Sequence, residues 1–250
     1  MYFLIGVLLF ILLSMTIVIR ENFTPSILNL VLYSEDQNYK KMYEMTRIYY
    51  SRFDHVTTLY YTFDENLTED VKKVDDILYI RGKDTFIPGV LEKTIAAMEY
   101  GIKHVSFDYL VRSNISTIVQ MDRLTHYLEN SDLEYGGFKM LVDSEQPYYG
   151  ITDERYFGTN YASGIGILMS QRCVRKMLDA KDHFDMTVID DVAIGILIKK
   201  LNILALYTDD VWSVPPNISK IDRPAMMYRN HNGDRTIDIE NMKIILQELT

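Results

Sequence analysis

The chain has 250 residues, 48% hydrophobic and 24% charged, which excludes a disordered or fibrous protein and fits an ordinary globular domain. A net charge of −9 with no long basic stripe excludes a nucleic-acid partner, because neutralising phosphates takes clustered Lys and Arg. One cysteine, Cys173, excludes an intrachain disulfide; that fits either redox compartment and leans towards a reducing one.

Residues 2–19, YFLIGVLLFILLSMTIVI, form an uncharged apolar run long enough to cross a bilayer as a helix. No Lys or Arg precedes it, and Ile19-Arg20-Glu21 is a poor cleavage site. The run therefore predicts a retained anchor and short stem over residues 1–24, followed by one domain over 25–250. Orientation stays open. Arg20 alone faintly favours a cytosolic body, whereas sequons at Asn22, Asn66, Asn114 and Asn217 fit a lumenal one.

Residues 26–33 read as a strand that runs into the polar Ser34-Glu35-Asp36. Residues 39–53 have helical spacing, with Met42, Met45, Ile48 and Tyr49 on one face. Residues 56–63 and 77–80 are β-branched and aromatic strands. Between 87 and 98 a helical face repeats (Ile87, Val90, Leu91, Thr94, Ile95, Met98), with Pro88 in its first turn and Gly101 at its end. The next stretch, VSFDYLVRSNISTIV at 105–119, predicts a buried strand that stops at Arg112-Ser113-Asn114-Ile115-Ser116. Polar turns at the C-terminal ends of such strands are where α/β proteins place ligand-binding groups. Alternating strands and helices predict an α/β sandwich with a largely parallel sheet.

The second half begins with a strand at 135–142 and a Gly- and Tyr-rich segment, PYYGITDERYFGTNYASGIG. Ser170 is placed to cap a helix carrying Cys173, Val174, Met177 and Leu178. Ile189-Asp190-Asp191-Val192 opens another, with Ile194, Leu197, Ile198 and Leu201 facing inward. Residues 204–207 and 211–214 read as terminal strands. The tail reads as a solvated loop around Tyr228-Arg229-Asn230-His231, then a small amphipathic helix through Ile239, Met242, Ile245 and Leu246.

Three clusters carry chemistry, and each has a purely structural use. Asp190-Asp191 at a helix start is stabilised by unpaired N–H groups and the helix dipole; alone it is an N-cap, or else a general base beside a second acid. The segment YASGIGILMS either makes a tight turn or lets a ligand approach the backbone. Arg112 to Ser116 offers neutral oxygens, weak metal ligands beside carboxylates, and an Asx-type turn explains it as well.

Taken in this order, the clusters resemble the β-1,3-galactosyltransferase and N-acetylglucosaminyltransferase family, with the Fringe enzymes as relatives, over roughly residues 75–206. ILYIRGKDTFIPGVLEKTIAAMEYGIKHVSFDYLVRSNIST is similar to the family's donor half, YASGIGILMS to its Gly-rich segment, and Asp190 through Gly195 to its Glu/Asp-Asp-Val-x-x-Gly motif. The resemblance implies a GT-A-like, Rossmann-type sandwich behind a transmembrane helix, with a donor half at about 25–120 and an acceptor and catalytic half at about 121–250. It implies inverting transfer of a hexose or N-acetylhexosamine from a nucleotide-sugar, a UDP-sugar first, to a glycan or glycoprotein. It also implies a type II protein with its domain in the ER or Golgi lumen, a cytosol-facing orientation remaining open.

Carried over by position, Asp191 is the general base, and Asp190 positions it or binds the acceptor. Tyr161, Ser163 and Gly164 line the acceptor side. Arg112, Ser113, Asn114 and Ser116 stand where the family has Lys-Thr-Asp-x-Asp, so both metal-binding carboxylates are missing and an Mn²⁺ or Mg²⁺ motif is degenerate. The charge that lets the nucleoside diphosphate leave would then come from Arg112 and Arg229, with His231 standing where many relatives carry a metal-ligating histidine. Two other classes stay open: a catalytically idle relative that binds glycan or nucleotide-sugar, and an unrelated α/β nucleotide-binding domain such as a nucleotidyltransferase.

Overall fold

The computed structural model describes residues 24–250. The apolar run at 2–19 and Asn22 lie outside them, and among the described residues no helix is long and apolar enough to cross a membrane. The first half consists of β1 (Ile27–Leu32), α1 (Gln37–Tyr50), β2 (Val56–Asp64), β3 (Val71–Val74), β4 (Ile77–Arg81), α2 (Gly89–His104) and β5 (Tyr109–Asn114). The second half continues with β6 (Thr117–Val119), α3 (Met121–Glu129), β7 (Tyr135–Leu141), β8 (Asn160–Ser170) and α4 (Gln171–Asp179). It ends with α5 (Asp190–Lys200), β9 (Ala205–Thr208), β10 (Val211–Val214), β11 (Met227–Asn230) and α6 (Arg235–Glu248).

Eight strands form the central sheet in the order β3-β4-β2-β1-β5-β8-β7-β9, and β10-β11-β6 form a small second sheet. Pairing is parallel from β4 through β2 and β1 to β5, and antiparallel where β8 joins β5 and β7. The period of two sends successive apolar side chains to opposite faces. Leu28 and Leu30 enter the core shared with α2, α4 and α5, while Ile27 and Val31 enter the core shared with α1, α3 and α6. Each fully buried aliphatic side chain contributes about 1.5–3 kcal/mol, so continuous apolar runs are what a sheet covered on both faces demands.

Several sequence expectations change. The strand at 105–119 begins only at Tyr109 and continues through Asn114, so Arg112 and Ser113 are not in a turn. Arg112 is paired with Leu30 on one side and Ile167 on the other, and is fully buried. Helix α2 runs past Gly101 to His104; the glycine is there because a Cβ would strike the Leu28 side chain. The glycines of YASGIGILMS lie within strand β8 rather than before it. The tail around Tyr228 is a strand, β11, held between β10 and β6. Strands β3 and β6 and helix α3 were not expected. The Ser170 cap is present, its hydroxyl accepting from Cys173 N–H at 3.1 Å.

The order of strands also locates a crevice. From β1 the chain moves outward through β2 to β4, then crosses over to β5 on the other side of β1. At such a switch point the helices diverge and open a ligand site at the strands' C-terminal ends. A cavity of about 440 Å³ lies there, lined by Leu32, Tyr33 and Ser34 after β1 and by Asn114, Ile115 and Ser116 after β5.

Candidate active site

Helix α5 begins at Asp190 with Ile189 as its N-cap, a residue that cannot cap with its side chain. Its first turn therefore leaves N–H groups and the positive end of the dipole to the two carboxylates. Asp190 is buried and pairs with Arg112, Nη2 to Oδ2 at 2.6 Å. Arg112 Nη1 also donates to Asn114 Oδ1 at 2.9 Å and to the Gly164 carbonyl at 3.0 Å. One guanidinium thus ties β5, β8 and α5 together. Asp191 Oδ2 accepts from Gly164 N–H, and its Oδ1 from Val192 N–H, each at 2.9 Å. Gly164 is required by this close approach, because a Cβ there would sit 2.8 Å from Arg112 Nη1.

The two acids are therefore held differently. Asp190 is neutralised by a guanidinium. Asp191 is pushed up to about 6, first by burial and then by the charge of Asp190, against the opposing pull of Gly164 N–H, Arg112 and Val192 N–H. Two adjacent carboxylates in unequal environments are the arrangement from which a base working near neutral pH is made.

Asn114 connects this cluster to the cavity, since it accepts from Arg112 and also lines the cavity wall. Across from it, Arg229 of β11 donates to Ser116 Oγ at 2.6 Å, and Asn230 N–H to the Ser116 carbonyl at 3.0 Å. Lys93, Arg235 and Asp84 complete the charged lining. Lys93 is paired with Asp84 at 2.6 Å and Arg235 with the buried Asp238 at 2.7 Å. Burial and then Arg235 lower Arg229 to about 10, which leaves it charged at neutral pH.

The Galactosyltransferase family profile matches residues 55–207, more than half of the chain. The chain belongs to this family. No curated protein sequence matches it significantly. Among solved structures it is similar to a glycosyltransferase involved in glycosylation of the major capsid of PBCV-1, with a TM-score of 0.51 at 10% identity, covering 88% of this chain and 100% of that one. It also aligns with the galactosyltransferase LgtC in complex with donor and acceptor sugar analogues (TM-score 0.48, 15% identity, 89% and 96% covered). A third is the glycosyltransferase GlyE of Streptococcus pneumoniae TIGR4 (0.47, 11%, 91% and 62%). Family and GT-A-like fold together identify a glycosyltransferase-type transferase.

Within this Galactosyltransferase-family domain, several expected site residues take other positions. Arg112 does not face the cavity alone as a cation for the donor; it is committed to Asp190. Ser113 is fully buried in the strand. Tyr161 is buried beneath Gly195 of α5, where a Cβ would collide with it, so it supports the helix rather than lining an open acceptor side. Ser163 Oγ accepts from Ile165 N–H at 3.4 Å. His231 is exposed just after β11, its imidazole lowered by partial burial and by Arg229 and Arg235.

The divalent ion that the family resemblance implies does not fit these residues. No group of three or more His, Cys, Asp or Glu among the described residues can hold one. The two oxygens standing where carboxylates would be, Asn114 Oδ1 and Ser116 Oγ, already accept from Arg112 and Arg229.

Sequence reasoning missed Lys93, Arg235 and an aromatic cluster. Lys93 had a signal: it falls three residues after Val90 on the inward face of α2 and is buried. Phe86, Tyr148 and Tyr149 gather with ring centroids 4.9, 5.1 and 6.2 Å apart, Tyr148 being 72% exposed. Phe86 also lines the cavity. Pro147-Tyr148-Tyr149-Gly150 could have revealed them, because so short a turn cannot bury both rings.

Proposed function

We propose that this domain, residues 25–250, transfers a hexose or N-acetylhexosamine from a nucleotide-sugar, a UDP-sugar first, to a glycan or glycoprotein acceptor with inversion. The observation that carries it is Asp191, a carboxylate fixed by Gly164 N–H and raised towards neutral pH beside the paired Asp190. The free lone pairs of Asp191 take the proton of the acceptor hydroxyl as that oxygen attacks the anomeric carbon. The bond from that carbon to the diphosphate oxygen breaks from the opposite face, and its electron pair leaves with the nucleoside diphosphate. A single displacement inverts the anomeric centre.

The cavity at the ends of β1 and β5 takes the donor. It crosses the expected division into halves, since Arg229 and Arg235 come from the second one. The exposed Phe86, Tyr148 and Tyr149 rings take the acceptor sugar against their faces, an apolar surface with a hydroxyl handle. The test is transfer by the full chain from a panel of nucleotide-sugars, with the product anomer read by NMR. Inverted product is expected, and Tyr148→Ala should raise acceptor KM several-fold with donor KM unchanged. Retained configuration would remove Asp191 as the base; donor binding without transfer or hydrolysis would make the protein an idle binder.

We also infer a type II anchor over residues 1–24 with the domain in the ER or Golgi lumen. The sequons at Asn66 and Asn217 support this, because both asparagines are exposed on turns, whereas Asn114 is bonded to Arg112. Glycosidase treatment of the protein expressed in eukaryotic cells should shift its mobility, and Asn66→Gln with Asn217→Gln should abolish the shift. An unshifted wild type would indicate a cytosolic domain.

A further inference from the structure

We propose that this chain binds the donor's diphosphate without a divalent ion, in a cationic cradle anchored by Arg229 and flanked by Lys93 and Arg235. This rests on the transferase reading and extends it to how the leaving group is held. Four observations support it.

First, the place is set by topology. The cavity lies at the switch point between β1 and β5, and Arg229, Arg235 and Lys93 all line it. Against these cations the lining offers one carboxylate, Asp84, which leaves a surplus of positive charge facing a multiply charged diphosphate.

Second, Arg229 is the uncommitted cation. Lys93 has Asp84 and Arg235 has Asp238, but among the described residues no carboxylate lies within ion-pair distance of Arg229. Its hydrogen bond is to the neutral Ser116 hydroxyl. A guanidinium has five N–H donors in a planar fork that matches phosphate oxygens in pairs. Holding such a group half-buried with no paired carboxylate, only the more distant charge of Asp238, is costly, and an anionic ligand reduces that cost.

Third, the oxygens a metal would need are turned to other uses. Asn114 Oδ1 accepts from Arg112 and Ser116 Oγ from Arg229, so a divalent ion placed on them would sit between two guanidinium groups. By accepting from Arg229, the Ser116 hydroxyl keeps its own proton available for a phosphate oxygen.

Fourth, Arg112 is excluded from this task. Its pairing with the buried Asp190 commits its charge to the base cluster, and Asn114 separates it from the cavity. The division is physical: one arginine balances the acids of the acceptor side, and another receives the leaving group.

The test is calorimetric titration of the full chain in detergent with UDP, GDP and inorganic pyrophosphate, in EDTA and in Mn²⁺. Binding of at least one nucleoside diphosphate in EDTA is expected, with Kd within about twofold of the Mn²⁺ value. Arg229→Met should weaken it at least tenfold and Arg229→Lys should recover part of the loss. Because Arg229→Met removes a half-buried group and Arg235→Gln takes the charge partner from the buried Asp238, thermal melting checks the fold of both. Arg235→Gln, whose amide still donates to Asp238, gives a second reading with an expected loss of several-fold. Binding that appears only with Mn²⁺, or Arg229→Met and Arg235→Gln affinities equal to wild type, would overturn the cradle and leave the transferase reading standing. No binding of any nucleoside diphosphate in either buffer would overturn both.

Discussion

Asp191→Asn is expected to lower kcat by about 10²–10⁴-fold, the range that a positioned general base supplies. The amide keeps an oxygen for Gly164 N–H, so donor affinity should be unchanged. Wild-type kcat/KM should rise with pH through about 6 as Asp191 ionises, and this limb should vanish in the variant. Stability should move the other way. The folded-state carboxyl binds its proton more tightly than the unfolded one, so ionised Asp191 destabilises the native state, and stability falls as pH rises through about 6. Asp191→Asn is therefore expected to have a Tm at pH 7.5 equal to or above wild type. Such a gain from removing a functional group is the usual mark of an active site. Turnover left intact by the substitution would take Asp191 out of the chemistry.

Arg112→Met should be the most destabilising single change at the site. It leaves Asp190 buried without its partner and withdraws donors from Asn114 and the Gly164 carbonyl. Breaking such a pair by removing one member costs about 3–5 kcal/mol, to be read from urea unfolding. Combining it with Asp190→Leu should recover most of the stability, because both charges are then gone, while activity stays lost. A single variant within about 1 kcal/mol of wild type would show that water or relaxation solvates Asp190.

Which of these features a sequence can reveal depends on how far along the chain the causes lie. Asp190-Asp191 opening a helix was legible because an apolar stripe with helical spacing follows at once. The strand at 27–32 was legible because burial on both faces leaves an unbroken apolar run. The fate of Arg112 was not, since a charged residue inside a strand reads as its end unless its partner is known. That partner lies across the fold on α5 and is brought to it only when β5, β8 and the helix pack together. The glycines of β8 looked like a turn because nothing local says that Arg112 needs the space above Gly164. Strand β11 was hidden for a related reason: it is only four residues long and depends on β10 and the three-residue β6 for its hydrogen bonds. With β11 unrecognised, Arg229 was named for the donor only through the family resemblance, and Arg235, at the start of α6, was not seen to line the same cavity.

The short turn carrying Tyr148 and Tyr149 has one more implication. The Tyr149 carbonyl accepts from the N–H of Ile189, the residue directly before Asp190, and Gly150 leaves no room between that turn and Thr187. The two tyrosines and the start of α5 are thus bolted into a single block. The position of the turn is thereby coupled to the start of the helix. On the transferase proposed above, an acceptor sugar resting on those rings would be gauged against Asp191 through this one hydrogen-bonded joint, which makes the turn a place where acceptor regiochemistry could be set.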